Sequence, residues 1–437
     1  MPTLNIVDFS CIKLANIDLK PLTVVIGPQS SGKSLISKLF YFFSDIPHIQ
    51  YSAAERGFSI KPFLKFIAKN FTTTFPHNTW GDGPFCINYE AGQMSFKIER
   101  KKRGNNFVND VEVSCSSFFD KQYSSLFKAH QSVNRKNSAA DDDFSIISFT
   151  PESFDLRRSS MRALISTLGS DYIESQFFIP AGRSFYSNLG KAVAMFEFGS
   201  QLDEVTKRFG RKFTSLLDGQ PRFFFPEKPK KRTNDFIKSQ TGIMESMIGG
   251  KLKLASSEKY VETKDGRIIP FHLMSSGQQE LLPLLLALKS YTMENAEDND
   301  PSTDLLYIEE PEAHLFPSTQ AAVIRHIVSV ANFIPQRARF FITTHSPYVL
   351  STLNTFVKAF NVALQKNDRL VEISKIVPKN LWVSPANISV YGLESGILKS
   401  IKDQSGLIDA SYLDQISEEL SSEFFELLGG VDKFVSR

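Results

Sequence analysis

"LTVVIGPQSSGKS", residues 22–34, begins as a short apolar run, halts at Gly27, and turns through glycine and serine to deliver Lys33 and Ser34 side by side. The run has the length and content of a buried strand. Beyond the turn, Leu35, Ile36, Leu39, Phe40 and Phe43 recur at helical spacing over residues 33–46, so strand, turn and helix follow one another. Gly27, Pro28, Gln29, Ser30, Ser31, Gly32, Lys33 and Ser34 together fit G-x-x-x-x-G-K-[ST]. That spacing has a physical purpose. Glycines let the backbone curl around an anion with its N–H groups inward, and the start of the helix adds partial positive charge. Lys33 is then placed for the β- and γ-phosphates of a nucleotide, and the Ser34 hydroxyl for Mg²⁺.

Working outward, residues 4–26 read as β-rich, and "FCINYE" followed by "MSFKIER" reads as a hairpin. The polar stretch 132–143 reads as a mobile loop, and "ESQFFIPAGRS" (174–184) as a short strand ending at a turn. Residues 191–218 and 233–249 have a helical pattern, and a second loop at 294–304 leads into another strand. Strands alternating with helices through the C-terminal half predict a largely parallel sheet. No heptad run and no fixed-period repeat is visible.

Three later stretches complete the chemistry. "DLLYIEEPEAHLFP" (304–317) carries an apolar strand straight into two carboxylates, at the strand end where the cradle also lies. Glu309 suits Mg²⁺, and Glu310 suits polarisation of an attacking water. Neighbouring strand residues face opposite ways, so the two acids should differ in role. "FITTHSP" (341–347) ends a further apolar strand at His345, placed to meet a γ-phosphate. "LMSSGQQELLPLLLAL" (273–288) is a Ser/Gly turn opening an apolar helix, with Ser275 or Ser276 as cap and Glu280 in the first turns.

Taken in order, "GPQSSGKS", "SSGQQE", "LLYIEEPEAHL" and "TTHSP" resemble the Walker A, signature, Walker B and switch-histidine motifs of ABC-type ATPases. The resemblance is to the Rad50/SMC-like branch that contains the OLD-family (AAA15-type) ATPases, and it spans about residues 1–48 and most of 171–437. It implies an α/β P-loop NTPase of ABC type, with a mixed, mostly parallel sheet flanked by helices. The expected parts are a β-rich N-terminal lobe (1–115), an inserted segment (116–170) and a C-terminal lobe (171–437). "MSSGQ" replaces LSGGQ and Glu309 replaces an aspartate, both usual in the OLD-like branch. The resemblance further implies an ATPase using ATP and Mg²⁺, with Lys33, Glu310 and His345 catalytic and Ser34 and Glu309 at the metal. Ser275, Gly277 and Gln278 would approach the γ-phosphate held by a second copy, so a head-to-tail homodimer is expected. "EAHLF" would lie at the dimer-contacting D-loop, with Phe316 in place of a polar residue. Gln176 and the turn at Arg183 are candidates for the Q-loop.

The heptad arms of Rad50 and SMC proteins are not found, nor is the acidic Toprim cluster of OLD nucleases in residues 350–437. The plan therefore resembles stand-alone OLD-like ATPases of prokaryotic phage-defence systems such as PARIS or Septu. Those assemble with a separately encoded effector, here expected to be a nuclease. The alternative is a DNA-binding repair ATPase of RecF/Rad50 type, with "RKKR" (100–103) and "KPKKR" (228–232) as phosphate contacts. A net charge of +3 is too small to argue for DNA by itself. Three scattered cysteines predict neither a disulfide framework nor a zinc site, and no leader or membrane-length apolar run appears, so a cytoplasmic location without membrane contact is expected.

Overall fold

The computed structural model describes residues 1–138, 151–189, 202–217, 230–254, 259–297 and 302–409, together with 422 and 425. Its strands in chain order are β1 (Thr3–Phe9), β2 (Ile12–Asp18), β3 (Leu22–Ile26), β4 (Cys86–Ala91), β5 (Met94–Arg103), β6 (Asn106–Cys115) and β7 (Ile173–Ile179). They continue with β8 (Gly250–Lys253), β9 (Tyr260–Thr263), β10 (Ile268–Pro270), β11 (Thr303–Glu309), β12 (Ala338–Thr344), β13 (Ile388–Glu394) and β14 (Ile397–Ser400). Eleven of these form one sheet in the order β6-β5-β4-β1-β2-β14-β13-β3-β12-β11-β7, and β10-β9-β8 form a small second one.

The large sheet is mixed, and its two halves differ for a reason of connection length. On one side β13, β3, β12, β11 and β7 are all parallel. On the other, β2, β1, β4, β5 and β6 are antiparallel. Turns at Ser10–Cys11 and at Ala91–Met94 are too short for anything but an antiparallel return. Strand β14, antiparallel to β13 and parallel to β2, joins the halves. Parallel pairing thus dominates the C-terminal half and not the whole sheet.

Both faces of the parallel half are covered, which is why its strands read as unbroken apolar runs. Val25, Leu305, Tyr307 and Phe341 point into one core beside the helix Lys33–Glu55. Val24, Ile26, Leu306, Ile308, Phe340 and Ile342 point into the other, beneath the helices Ser276–Asn295, Pro317–Phe333 and Pro347–Gln365. Phenylalanine fills the first core. Phe40 lies 5.6 Å from Tyr89 and 5.8 Å from Phe341, ring centre to ring centre, and its truncation to alanine should cost about 3–5 kcal/mol.

Several local expectations change. The helix expected over 33–46 runs to Glu55 through Pro47, because Tyr51, Ala53 and Ala54 beyond it are buried. Residues 132–138, expected as loop, close the helix Ser117–Ser138, whose Phe119, Tyr123, Leu126 and His130 are buried; 139–143 lie outside the described residues. Tertiary burial outweighs local polarity there. The helix Ser276–Asn295 passes through Pro283. Among the described residues of 191–249 the helices are Glu204–Leu217 and Lys231–Ile248, while 191–201 and 218–229 lie outside the described residues. Among the described residues, no helix is long and apolar enough to cross a membrane.

Candidate active site

Strand register brings the predicted residues to one edge. Ile26 pairs with Thr344, and Thr343 with Glu309, in parallel ladders. The residues that follow, Gly27, His345 and Glu310, therefore leave the sheet together at its C-terminal side, where ligands of open α/β sheets bind.

The turn after β3 is held by close backbone approach. A Cβ on Gly27 would stand 2.4 Å from the Leu393 carbonyl oxygen, near the end of β13. Gly32 has φ +107°, and a Cβ there would stand 2.8 Å from Cys11 Sγ. Ser30 also takes a left-handed φ of 60°. Gly32 caps the helix Lys33–Glu55 without a side-chain bond, which leaves its first-turn N–H groups for an anion. Pro28, Gln29, Ser30 and Ser34 are exposed around it. Lys33 is buried, and its Nζ donates to the carbonyls of Gly27 (2.8 Å) and Pro28 (2.7 Å). Burial pushes its pKa down, against the pull of Glu310 and Glu312.

Glu309, the last residue of β11, is buried. Its carboxylate accepts long bonds from Ser37 Oγ (3.3 Å) and the Ala181 N–H (3.3 Å). Burial raises its pKa, opposed by Lys38, Ser34, Ala181 and Ser37. A desolvated carboxylate beside a serine hydroxyl suits a hard divalent cation. Glu310 leaves the strand at φ +43°. Its N–H donates to the Thr343 carbonyl (2.9 Å). Glu310 thus parts from Glu309 by a left-handed turn and not by strand alternation. Its Oε1 lies 3.7 Å from His345 Nδ1.

Glu312 was missed in the sequence. It is buried, and its Oε1 accepts from Thr344 Oγ1 (2.6 Å) and the His345 N–H (2.8 Å) and lies 3.5 Å from His345 Nδ1. It holds the backbone at His345. Ser31 Oγ, Glu312 Oε2, Thr343 Oγ1 and His345 Nδ1 are buried without a hydrogen-bond partner among the described residues. Such a concentration of unsatisfied polar atoms fits a site shaped for a polyanion and its cation.

The turn at Ser275–Gln278 lies against the segment that follows Glu312. Ser275 caps the helix Ser276–Asn295 in a capping box whose partner is Gln278, not Glu280. Gln278 Nε2 also donates to the Ile248 carbonyl (2.6 Å), so Gln278 is engaged within its own chain. A Cβ on Gly277 would stand 2.9 Å from the His314 carbonyl, which seats the turn on the Glu312–Phe316 segment. Of the two Q-loop candidates, Gln176 faces the core, accepting from Tyr307 Oη (2.8 Å) and donating to the Tyr41 carbonyl (3.2 Å). The turn at Arg183 reaches the site instead. Arg183 Nη1 donates to the Glu309 carbonyl (2.6 Å) and Nη2 to the Glu310 carbonyl (2.9 Å). In the basic run 100–103, Arg100 Nη1 donates to the carbonyls of Gly81 (2.7 Å) and Gly83 (3.0 Å), and Lys101 pairs with Asp110 at 3.0 Å.

A phosphate cradle, two acids and a histidine at one sheet edge define a P-loop ATPase domain. Over residues 22–351, more than half its length, the sequence matches the family described as "AAA domain, putative AbiEii toxin, Type IV TA system", and the chain belongs to that family. No curated protein matches it. Among solved structures it is similar to the SMC head domain from Thermotoga maritima (TM-score 0.34, 12% identity, 92% of this chain and 98% of that one). It is also similar to the SMC head domain with an extended coiled coil bound to the C-terminal domain of ScpA, from Pyrococcus furiosus (TM-score 0.34, 12% identity, 96% and 100%). A third is the ADP conformation of an ATP-binding cassette of an ABC transporter (TM-score 0.31, 12% identity, 96% and 98%).

Proposed function

We propose that this chain binds and hydrolyses ATP as an ABC-type switch, closing as a head-to-tail dimer around the nucleotide. The observation that carries the reading is the meeting of Lys33, Glu309, Glu310 and His345 at one edge, ringed by buried polar atoms without partners. Lys33 would exchange its two carbonyl partners for phosphate oxygens, and the open N–H groups of the helix start would hold the same anion. Ser34 and Glu309 would hold Mg²⁺, which supplies charge neutralisation across the phosphates. Glu310 would take the proton of the attacking water, and His345, steadied by Glu312, would meet the γ-phosphate.

The second copy would supply Ser275, Gly277 and Gln278. Support comes from exposed apolar side chains at this edge: Leu273 before the signature (66%), Phe316 in the D-loop segment (76%) and Tyr348 after His345 (50%). A face of that kind is suited to burial against a partner. Gln278 would have to exchange its capping-box bonds for phosphate. In the fullest form of this reading, the dimer governs a separately encoded effector, a nuclease, in prokaryotic phage defence, as in the OLD-like systems the motifs resemble.

The test is Glu310→Gln with ATP and Mg²⁺ in light scattering. A dimer that appears with ATP and disappears in Ser275→Arg supports the composite site; a monomer throughout refutes it. Phosphate release by the wild-type chain, absent from Lys33→Met, checks hydrolysis separately.

A further inference from the structure

Arg183 is buried, and almost every atom of its guanidinium is committed. Nε donates to the Glu280 carbonyl (3.1 Å). Nη1 donates to the carbonyls of Pro180 (3.0 Å) and Glu309 (2.6 Å), and Nη2 to that of Glu310 (2.9 Å). The Glu280 carboxylate accepts from the backbone N–H groups of Arg183 (2.9 Å) and Ser184 (3.0 Å) and lies 3.5 Å from Arg183 Nε. Both side chains are 1% exposed.

Burying an ion pair this deeply is costly unless every hydrogen bond is met. Ordinary packing does not require it, since an apolar pair of similar volume would fill the space. What the pair achieves is a connection. Glu280 belongs to the first turns of the helix that Ser275 caps, so it moves with the signature. Glu310 sits in a left-handed conformation, and Arg183 grips the carbonyl of that same residue. A shift of the signature helix therefore pulls, through one rigid planar group, on the backbone that aims the Glu310 carboxylate.

We propose that Arg183 is a positioning residue that transmits the seating of the signature turn to Glu310, so that turnover depends on engagement by a second copy. The proposal rests on the composite-site reading and deepens it. Arginine is required because its fork reaches four carbonyls and a carboxylate at once, which the single ammonium of lysine does not.

The experiment compares the wild-type full chain with Arg183→Lys, Glu280→Gln and the double variant Arg183→Met/Glu280→Leu, which strands no charge. Fluorescent ATP-analogue binding gives affinity, phosphate release gives kcat and KM, and thermal unfolding confirms the fold. Loss of aim without loss of the cradle predicts kcat lower by roughly tenfold or more in each variant, with affinity and KM within about threefold of wild type. The double variant should be no worse than the worse single change, because both groups lie on one path. A purely structural role would lower Tm and leave kcat of the folded fraction intact, and that result overturns the proposal. So does a drop of affinity and kcat together. If Arg183→Lys fails to fold, Glu280→Gln, nearly unchanged in shape, decides. A wild-type chain without turnover overturns both the ATPase reading and the tether. A wild-type chain that turns over, beside variants that do so equally well, overturns the tether alone.

Discussion

Glu310 permits a test in which stability and chemistry move in opposite directions. Its φ of +43° is a left-handed conformation for a residue with a Cβ, at a cost of roughly 1–2 kcal/mol. Glycine removes that strain but loses about 0.5–1 kcal/mol more chain entropy on folding. Glu310→Gly should therefore be more stable than wild type by about 0.5–1 kcal/mol. Removing a carboxylate from the company of Glu309 and Glu312 acts in the same direction. For a chain of 437 residues that is a rise in Tm of roughly 1 °C, so the unfolding midpoint in urea is the better measure. Glu310→Gln removes the same charge and keeps the strain, and it isolates the backbone contribution. Both should release phosphate slower by roughly 10²–10⁴-fold, the range for a lost general base. If Glu310→Gly unfolds no later than Glu310→Gln, the strain argument is wrong. If Glu310→Gln keeps turnover within about tenfold of wild type, the residue is not the base.

Two further predictions use other parts of the structure. Gly27→Ala places a Cβ 2.4 Å from the Leu393 carbonyl; the end of β13 must retreat, at about 1–3 kcal/mol, and analogue affinity should fall at least about tenfold, while Gly83→Ala, with open space around it, leaves both unchanged. His326 is buried with neither ring nitrogen partnered among the described residues, and burial lowers its pKa to about 4. The unfolded chain binds the proton more readily, so stability present above about pH 6.5 is lost as pH falls toward 4, by roughly 3 kcal/mol in all. His326→Leu should flatten that acid-side loss in Tm measured from pH 7.5 to 5; an unchanged slope would assign the loss to other groups.

The cradle from Gly27 to Ser34 was legible in the sequence because it is local. One strand end, one turn and one helix start set its spacing, although the close approach of Leu393 to Gly27 and of Cys11 to Gly32 comes from distant parts of the chain. The placement of Glu309, Glu310 and His345 followed from apolar runs ending in polar residues, since parallel strands with both faces covered must present their ends along one edge. Other features rest on contacts between residues far apart in sequence. Strand alternation separated the roles of Glu309 and Glu310 for the wrong reason, because the left-handed turn at Glu310 is held by Thr343 and Arg183. Gln278, read as a ligand for phosphate, closes a capping box, while Glu280 turns inward to Arg183. Nothing in "IPAGRS" or "SSGQQE" alone says that these two will meet across 97 residues. Local spacing determines what a turn can hold. Which buried charge meets which is decided only when the layers pack, because the low dielectric between them makes each unpaired group too costly to leave.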